Sequence, residues 1–145
     1  MNHVKEISRL LGGPAVLGTE PGSLSDFIGL IRQGLPFRAF ETLARVLGMD
    51  SEEEGAQFLG LETGTLDLRR REQRILPVES ERLVRLARVT QRALHVLVSQ
   101  KIVIRWLRTP NTSLGGVTPL SMLDTDVGTG AVEEVLGRIE YGVFS

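Results

Sequence analysis

Residues 56–76 read "AQFLGLETGTLDLRRREQRIL", and their spacing decides the fold. Ala56, Gly60, Leu61 and Leu66 fall where a helix-turn-helix needs them. The alanine lets two helices approach closely, the glycine takes a left-handed turn without a Cβ penalty, and the leucines close a small core. The helix after the turn is then the one offered to the major groove. It carries Thr63, Gly64, Thr65 and Asp67 and leads into Arg69, Arg70, Arg71 and Arg74. A guanidinium donates two parallel hydrogen bonds, which suits phosphate oxygens and the guanine edge alike. Thr63, Thr65, Arg69, Arg70, Arg71 and Arg74 are therefore the candidate DNA-binding residues. The competing reading is a solvated helix face, with the arginines paired to Asp67 and Glu72.

Outward from this stretch, nearly every segment has helical periodicity. Upstream, Val4, Ile7, Leu10 and Leu11 form one stripe, stopped by Gly12-Gly13-Pro14. Ser23 with Asp26 starts a second helix, with Phe27, Ile28 and Ile31 on one face and Gly34 as its end. Leu35-Pro36 begins a third, with Phe40, Leu43, Ala44 and Leu47 inward. Asp50 or Ser51 caps the helix of Ala56, and Glu52 to Glu54 sit in its first turn, where the helix dipole favours negative charge. Thr63 is expected to cap the helix of the arginines. Downstream, Pro77 precedes a long helix over about 79–98, with Leu83, Leu86, Val89 or Thr90, Ala93 and Leu97 inward. Ile102, Trp106 and Leu107 mark another, closed by Pro110. A turn-rich segment with a short helix at 119–123 leads to a last helix over about 126–141. No segment alternates with a period of two, so the fold class is all-α.

The totals bound the function. Hydrophobic residues make up 41% of the 145, enough for a core, and the absence of cysteine excludes disulfides and thiolate metal sites. No apolar run is long enough to span a membrane and the start does not read as a signal peptide, so a cytoplasmic protein with no membrane partner is expected. The formal charge is −1, but residues 61–108 carry +6 between acidic flanks of −3 and −4. A basic middle points to a local anionic partner. No nucleophile set or phosphate-cradling loop is evident, and His3 and His95 lie too far apart in sequence to suggest a metal site. We expect no catalytic residue, cofactor or metal. Asp124 and Asp126 are expected to cap a turn. Trp106 is expected to fill the core beneath the Gly115-Gly116 loop, whose glycines would permit close packing. The ending Glu140-Tyr141-Gly142-Val143-Phe144-Ser145 places two aromatics and a valine where frayed chains seldom keep them, so these residues either fold back or dock in a partner's cleft.

Residues 106–145 resemble the toxin-binding domain of the Xre/MbcA/ParS antitoxin family. The resemblance is carried by Trp106-Leu107, Pro110-Asn111, Leu114-Gly115-Gly116, Thr118-Pro119-Leu120, Leu123-Asp124, Gly128, Val132, Leu136 and Tyr141-Gly142. Upstream, "GLPFRAFETLARVLG", "LRRR" and "ESERLVRLARV" resemble the Xre-like helix-turn-helix half of the same family. The chain departs from it at 97–102, where many members have a short Gly/Asp-containing loop and this one has "LVSQKI". Residues 1–33 carry no resemblance. The resemblance implies an antitoxin whose cognate toxin is of the RES type, an enzyme that consumes NAD or transfers ADP-ribose from it. It implies that the antitoxin occludes that toxin and often binds its own operator DNA. The implied organisation is N-terminal helices over 1–34, an Xre-like helix-turn-helix DNA-binding domain over 35–92, and a small α-helical toxin-binding domain over 93–145. Glu140, Tyr141, Gly142, Val143, Phe144, Ser145 and Asn111 are the candidate toxin-binding residues. One recognition helix reads too few bases alone, so a homodimer or higher homo-oligomer is expected. The alternatives are a transcriptional regulator whose C-terminal half only dimerises, and an adaptor with no DNA role.

Overall fold

The structure, a computed structural model, describes residues 3–142. The described chain is helical, without strands beyond two isolated bridges, and divides into two compact units, residues 1–87 and 88–145. The first unit contains α1 (His3–Leu10), α2 (Pro14–Leu17), α3 (Asp26–Gln33), α4 (Phe37–Val46), α5 (Glu52–Leu59), α6 (Thr63–Glu72) and the start of α7 (Pro77–Leu97). The second contains the rest of α7, α8 (Gln100–Leu107), 3-10 turns at Thr112–Leu114 and Leu120–Met122, and α9 (Asp126–Glu140).

In the first unit, Phe27, Leu35, Leu43, Leu59, Leu66, Ile75 and Leu83 are fully buried. α5 starts where the Ser51 hydroxyl accepts from the Glu54 N–H at 3.1 Å, so serine, not Asp50, caps it. It ends at Gly60, φ +75°, with the Leu61 N–H donating back to the Ala56 carbonyl at 2.8 Å. The side chain of Arg82 occupies the space a Cβ at Gly60 would need. α6 differs from expectation at its start. Glu62 holds the cap position without a side-chain hydrogen bond, and Thr63 is the first helical residue. The segment after α6 returns to the segment before α4. Ile75 N–H donates to the Leu35 carbonyl at 2.9 Å, Phe37 N–H to the Gln73 carbonyl at 3.1 Å, and Leu35 N–H to the buried Ser80 hydroxyl at 2.8 Å. These bonds tie the segment that follows the helix-turn-helix to the segment that leads into α4.

Four other expectations are revised in this unit for local reasons. Gly12-Gly13-Pro14 stops α1 and also starts α2, because proline's fixed φ fits the first turn of a helix. The same rule lets α7 begin at Pro77 instead of 79. Phe27 is buried, but Ile28 on the same expected face of α3 is about half exposed. At the start of α3, Asp26 and not Ser23 accepts from the chain, taking the N–H of Gly22 at 2.7 Å and of Ser23 at 3.2 Å.

In the second unit, Ala93, Val103, Leu107, Leu123, Val132 and Leu136 form the core. Thr125, between the two aspartates, caps α9 by accepting from the Gly128 N–H at 3.0 Å, so neither Asp124 nor Asp126 is the cap. Trp106 is only half buried, and a Cβ at Gly115 or Gly116 would meet nothing within 4 Å. Those glycines serve their left-handed φ, +78° and +86°, and not close packing. α7 ends at Val98, φ +69°, whose N–H donates to the Leu94 carbonyl at 2.9 Å. The Ser99 N–H also donates to the Leu97 carbonyl at 2.8 Å, so Val98 is the middle residue of a γ-turn, a rare backbone that costs about 1–3 kcal/mol. Ser99 then caps α8, its hydroxyl accepting from the Ile102 N–H at 3.5 Å.

Candidate functional site

The structure separates the four arginines of the helix-turn-helix. Arg69 turns inward. Its Nε donates to Glu79 Oε1 at 2.9 Å and its Nη2 to Glu79 Oε2 at 3.2 Å, a two-pronged contact with side chains only 11% and 3% exposed. The same Oε1 accepts from the Leu76 N–H at 2.9 Å. Hydrogen bonding to Glu79 raises the Arg69 pKa above its ordinary value, against the opposing effect of burial. A charge so placed must be paired, since an isolated buried ion is strongly unfavourable. Arg70 crosses to α5, its Nη2 donating to both Glu52 oxygens at 2.7 and 2.8 Å, while Nη1 reaches Asp67 at 3.2 Å. Its guanidinium lies 5.2 Å from the Phe37 ring centroid. The hydrogen bonding of Arg70 to Glu52 is the main cause of its raised pKa. Arg74 donates to the Gly34 carbonyl at 2.5 Å. Arg71 is 70% exposed, and its Nε lies 3.6 Å from Asp67 Oδ2.

Exposed Thr63 and Gly64 and half-buried Thr65 line the start of α6. The charge around them is not the charge expected. Residues 50–74 hold seven carboxylates against four arginines, a net of −3. The +6 assigned to residues 61–108 belongs mainly to α7 and α8, where Arg82, Arg85, Arg88, Arg92, Lys101, Arg105 and Arg108 outnumber Glu79 and Glu81. Beside the helix-turn-helix, a pocket of about 320 Å³ opens between α4 and α5, with Phe40, Arg45, Glu52 and Arg70 in its wall.

At the other end of the chain, Glu140 accepts from Arg92 Nη2 at 3.2 Å and lies 3.4 Å from His95 Nε2. The last turn of α9 is thereby held beside the last turns of α7, all within the second unit. Tyr141 follows directly and is 79% exposed; Gly142 has φ +71°. Val143, Phe144 and Ser145 lie outside the described residues. Asn111 is not near a free end but inside a closed turn. Its Oδ1 accepts from the Ser113 N–H at 2.9 Å, its N–H donates to the Val117 carbonyl at 2.9 Å, and its carbonyl accepts from the Gly116 N–H at 2.9 Å. Among the described residues, no group of three or more His, Cys, Asp or Glu is placed to hold a metal ion, and no helix is long and apolar enough to cross a membrane.

Comparison with known proteins divides the chain in the same way. Residues 26–88 match the antitoxin Xre-like helix-turn-helix domain, and residues 92–142 match the antitoxin Xre/MbcA/ParS C-terminal toxin-binding domain. A Prs ADP-ribosylating antitoxin of Sphingobium is 30% identical over 133 residues, covering 83% of this chain and 81% of the relative. The chain belongs to the Xre/MbcA/ParS antitoxin family. Proteins named Antitoxin Xre from Yersinia enterocolitica and Pseudomonas putida are 41% and 40% identical over 73 and 72 residues, half of this chain in each case. Those matches span 49% and 45% of the relatives' own lengths, so the chain covers about half of each.

Sequence reasoning missed two residues of this antitoxin-family chain that decide how its arginines behave. Glu79 stands ten positions beyond Arg69, past Pro77, outside any helical spacing rule. Glu52 stands 18 positions before Arg70. Its place in the first turn of α5 was legible, but not its pairing.

Proposed function

We propose that this chain is the antitoxin of a type II toxin–antitoxin pair, and that it neutralises a RES-type, NAD-consuming or ADP-ribosylating toxin by occluding its active site. The observation that carries this reading is the exposed Tyr141, set on a helix end that Glu140 fixes to α7. A cleft that holds a nicotinamide ring and phosphates accepts a flat apolar group with negative charge nearby. Residues 140–144 supply the carboxylate of Glu140 and then a tyrosine and a phenylalanine. The relatives from Yersinia enterocolitica, Pseudomonas putida and Sphingobium are named as antitoxins, which supports the same reading. In this reading residues 93–145 form the toxin-binding domain, and Asn111 contributes by shaping the loop at 111–117. The protein acts in the cytoplasm and assembles at least as a homodimer.

The test is growth rescue in cells expressing the toxin encoded beside this gene. The full chain is expected to protect. A chain lacking residues 141–145 is expected to remain folded by circular dichroism and to lose protection, since aromatic anchors at interfaces each contribute about 2 kcal/mol or more. Protection at full potency by the shortened chain refutes the occluding role.

A second reading, autoregulation through operator DNA, rests on the tight α5–Gly60–α6 turn with Thr63, Gly64 and Arg71 outward. The seven carboxylates of residues 50–74 weigh against strong nonspecific binding, so operator contact in this reading depends on base edges and paired half-sites more than on phosphate attraction. A sedimentation run at micromolar concentration giving only the 16.0 kDa monomer refutes the paired half-sites.

A further inference from the structure

Two residues interrupt what the sequence writes as one helix. α7 ends at Leu97 and α8 starts at Gln100, so only Val98 and Ser99 stand outside helical structure. Residues 78–109 contain neither glycine nor proline, the residues that ordinarily stop a helix. The stripe of core positions also runs through the break. Val89, Ala93, Val96, Gln100, Val103 and Leu107 alternate spacings of four and three, the period of one continuous helix packed along one side. Val89 and Ala93 before the break, and Val103 and Leu107 after it, are fully buried.

The break itself is held by weak means. Val98, φ +69°, is the middle residue of a γ-turn closed by the Ser99 N–H on the Leu97 carbonyl at 2.8 Å, a strained backbone for a β-branched residue. Its side chain is 84% exposed, so no packing compensates. The Ser99 hydroxyl caps α8 across 3.5 Å, a long hydrogen bond. Such strain persists only where surrounding contacts over-determine it. Here those contacts are the core of the second unit, shared by Ala93, Val103, Leu107, Val132 and Leu136, and the links of Glu140 to Arg92 and His95.

We propose that Val98-Ser99 is a hinge and that, in a second state, α7 and α8 join into one helix while α8 and α9 pack on the α7 of a second copy. Straightening in a single chain would pull α8 and α9 off α7 and open that core. Two chains that straighten together rebuild it by exchange, with the contacts of the closed unit re-formed between copies and the strain at both hinges relieved. A second copy is the occupant because the same sequence carries the same core faces, and the same Glu140 for Arg92. The inference rests on the homodimer of the reading above and gives it one form. A dimer built elsewhere leaves that reading standing and overturns this one.

The chain has no cysteine, so two can be placed as reporters. A full chain with Arg92→Cys and a full chain with Glu140→Cys are co-expressed and treated with a short bis-maleimide. In the closed unit these positions meet within one chain, and a singly substituted chain has nothing there to link. Exchange brings position 92 of one copy to position 140 of the other, and a crosslinked band of twice the chain mass is expected. Sedimentation of the cysteine-free chain and its variants then reads the hinge. Val98→Gly relieves the closed turn and disfavours a helix interior, so dimer affinity is expected to weaken roughly thirtyfold, about five- to sixfold at each of two hinges. Ser99→Ala removes the α8 cap and favours a helix interior, so it is expected to tighten the dimer by about the same factor. Opposite shifts from the two variants separate a hinge from a general loss of fold. A dimer in sedimentation without the crosslinked band overturns the exchange and leaves the homodimer reading in place. A monomer at every concentration, in the unsubstituted chain and in Ser99→Ala alike, overturns both. A crosslinked dimer whose affinity neither variant shifts overturns the hinge.

Discussion

Gly60 and Val98 both stand at a helix end with positive φ, +75° and +69°, but Gly60 lies in the left-handed helical region with ψ +29°, whereas Val98 is the middle residue of a γ-turn closed by the Ser99 N–H on the Leu97 carbonyl at 2.8 Å. The first is the residue physics prefers, and the Arg82 side chain fills the space its missing Cβ leaves. The second is among the residues physics least prefers, and it faces water. The same contrast runs through the two regions. Around α5 and α6, groups that look available for a partner are used internally: Arg69 by Glu79, Arg70 by Glu52, Arg74 by the Gly34 carbonyl. Around the ends of α7 and α9, groups that look fit for a core are left outside: Val98, Ile102 and Tyr141. Internal satisfaction explains stability, and the unsatisfied exposed groups are the ones that direct attention to a partner.

The largest way to break the comparison is at the buried ion pair. Glu79→Ala leaves Arg69 without its main partner in a place only 11% exposed, and strips the Leu76 N–H of its acceptor. Removing one member of such a pair costs about 3–5 kcal/mol. Urea unfolding is expected to show that loss, or no cooperative transition at all. A loss under about 1 kcal/mol by the measure used for surface pairs would place Arg69 back among the freely available arginines.

Next in size is Gly60→Ala. The new methyl meets the end of Arg82, a flexible side chain that can swing aside, so the cost is mainly the left-handed backbone, about 1–2 kcal/mol. Val98→Gly is the converse experiment, with a gain of about 1 kcal/mol from relief of the γ-turn at a β-branched residue. Opposite signs at the two helix ends sharpen the comparison. A loss of stability at both would mean that the Val98 side chain packs in a way its 84% exposure conceals.

What was legible in the sequence follows the reach of local rules. Gly48 and Gly60, and the capping position of Ser51, mark real helix ends because the determining atoms lie within a few residues. The all-α fold and the helix-turn-helix spacing follow from the same short-range patterns. α2 was missed because one motif, Gly12-Gly13-Pro14, both stops and starts a helix. The end of α7 was uncertain because nothing in "LVSQKI" is a conventional stop, and the chain makes its γ-turn with valine. The arginines were misjudged as a group because their separate uses depend on Glu79, Glu52 and Gly34, which no helical period connects to them. Apparent charge followed the choice of window, +6 over 61–108 but −3 over 50–74.

The smallest expected effect on stability, at Arg71, is also the cleanest test of operator binding. A simultaneous replacement of Arg69, Arg70 and Arg71 would remove the buried partner of Glu79 and the link from α6 to Glu52, so lost DNA binding could not be told from lost structure. Arg71 alone avoids this. It is 70% exposed and approaches Asp67 on the same helix at 3.6 Å. Arg71→Ala is expected to change unfolding free energy by no more than about 0.5 kcal/mol, as surface replacements do. If α6 lies on DNA and Arg71 meets a phosphate, operator affinity falls and the slope of log affinity against log salt flattens by about 0.9. If Arg71 reads a base edge instead, affinity falls for the operator but not for unrelated DNA, and the slope changes less. Unchanged operator affinity in Arg71→Ala would remove the arginine that α6 leaves most exposed, and with it the case for arginine recognition by this helix.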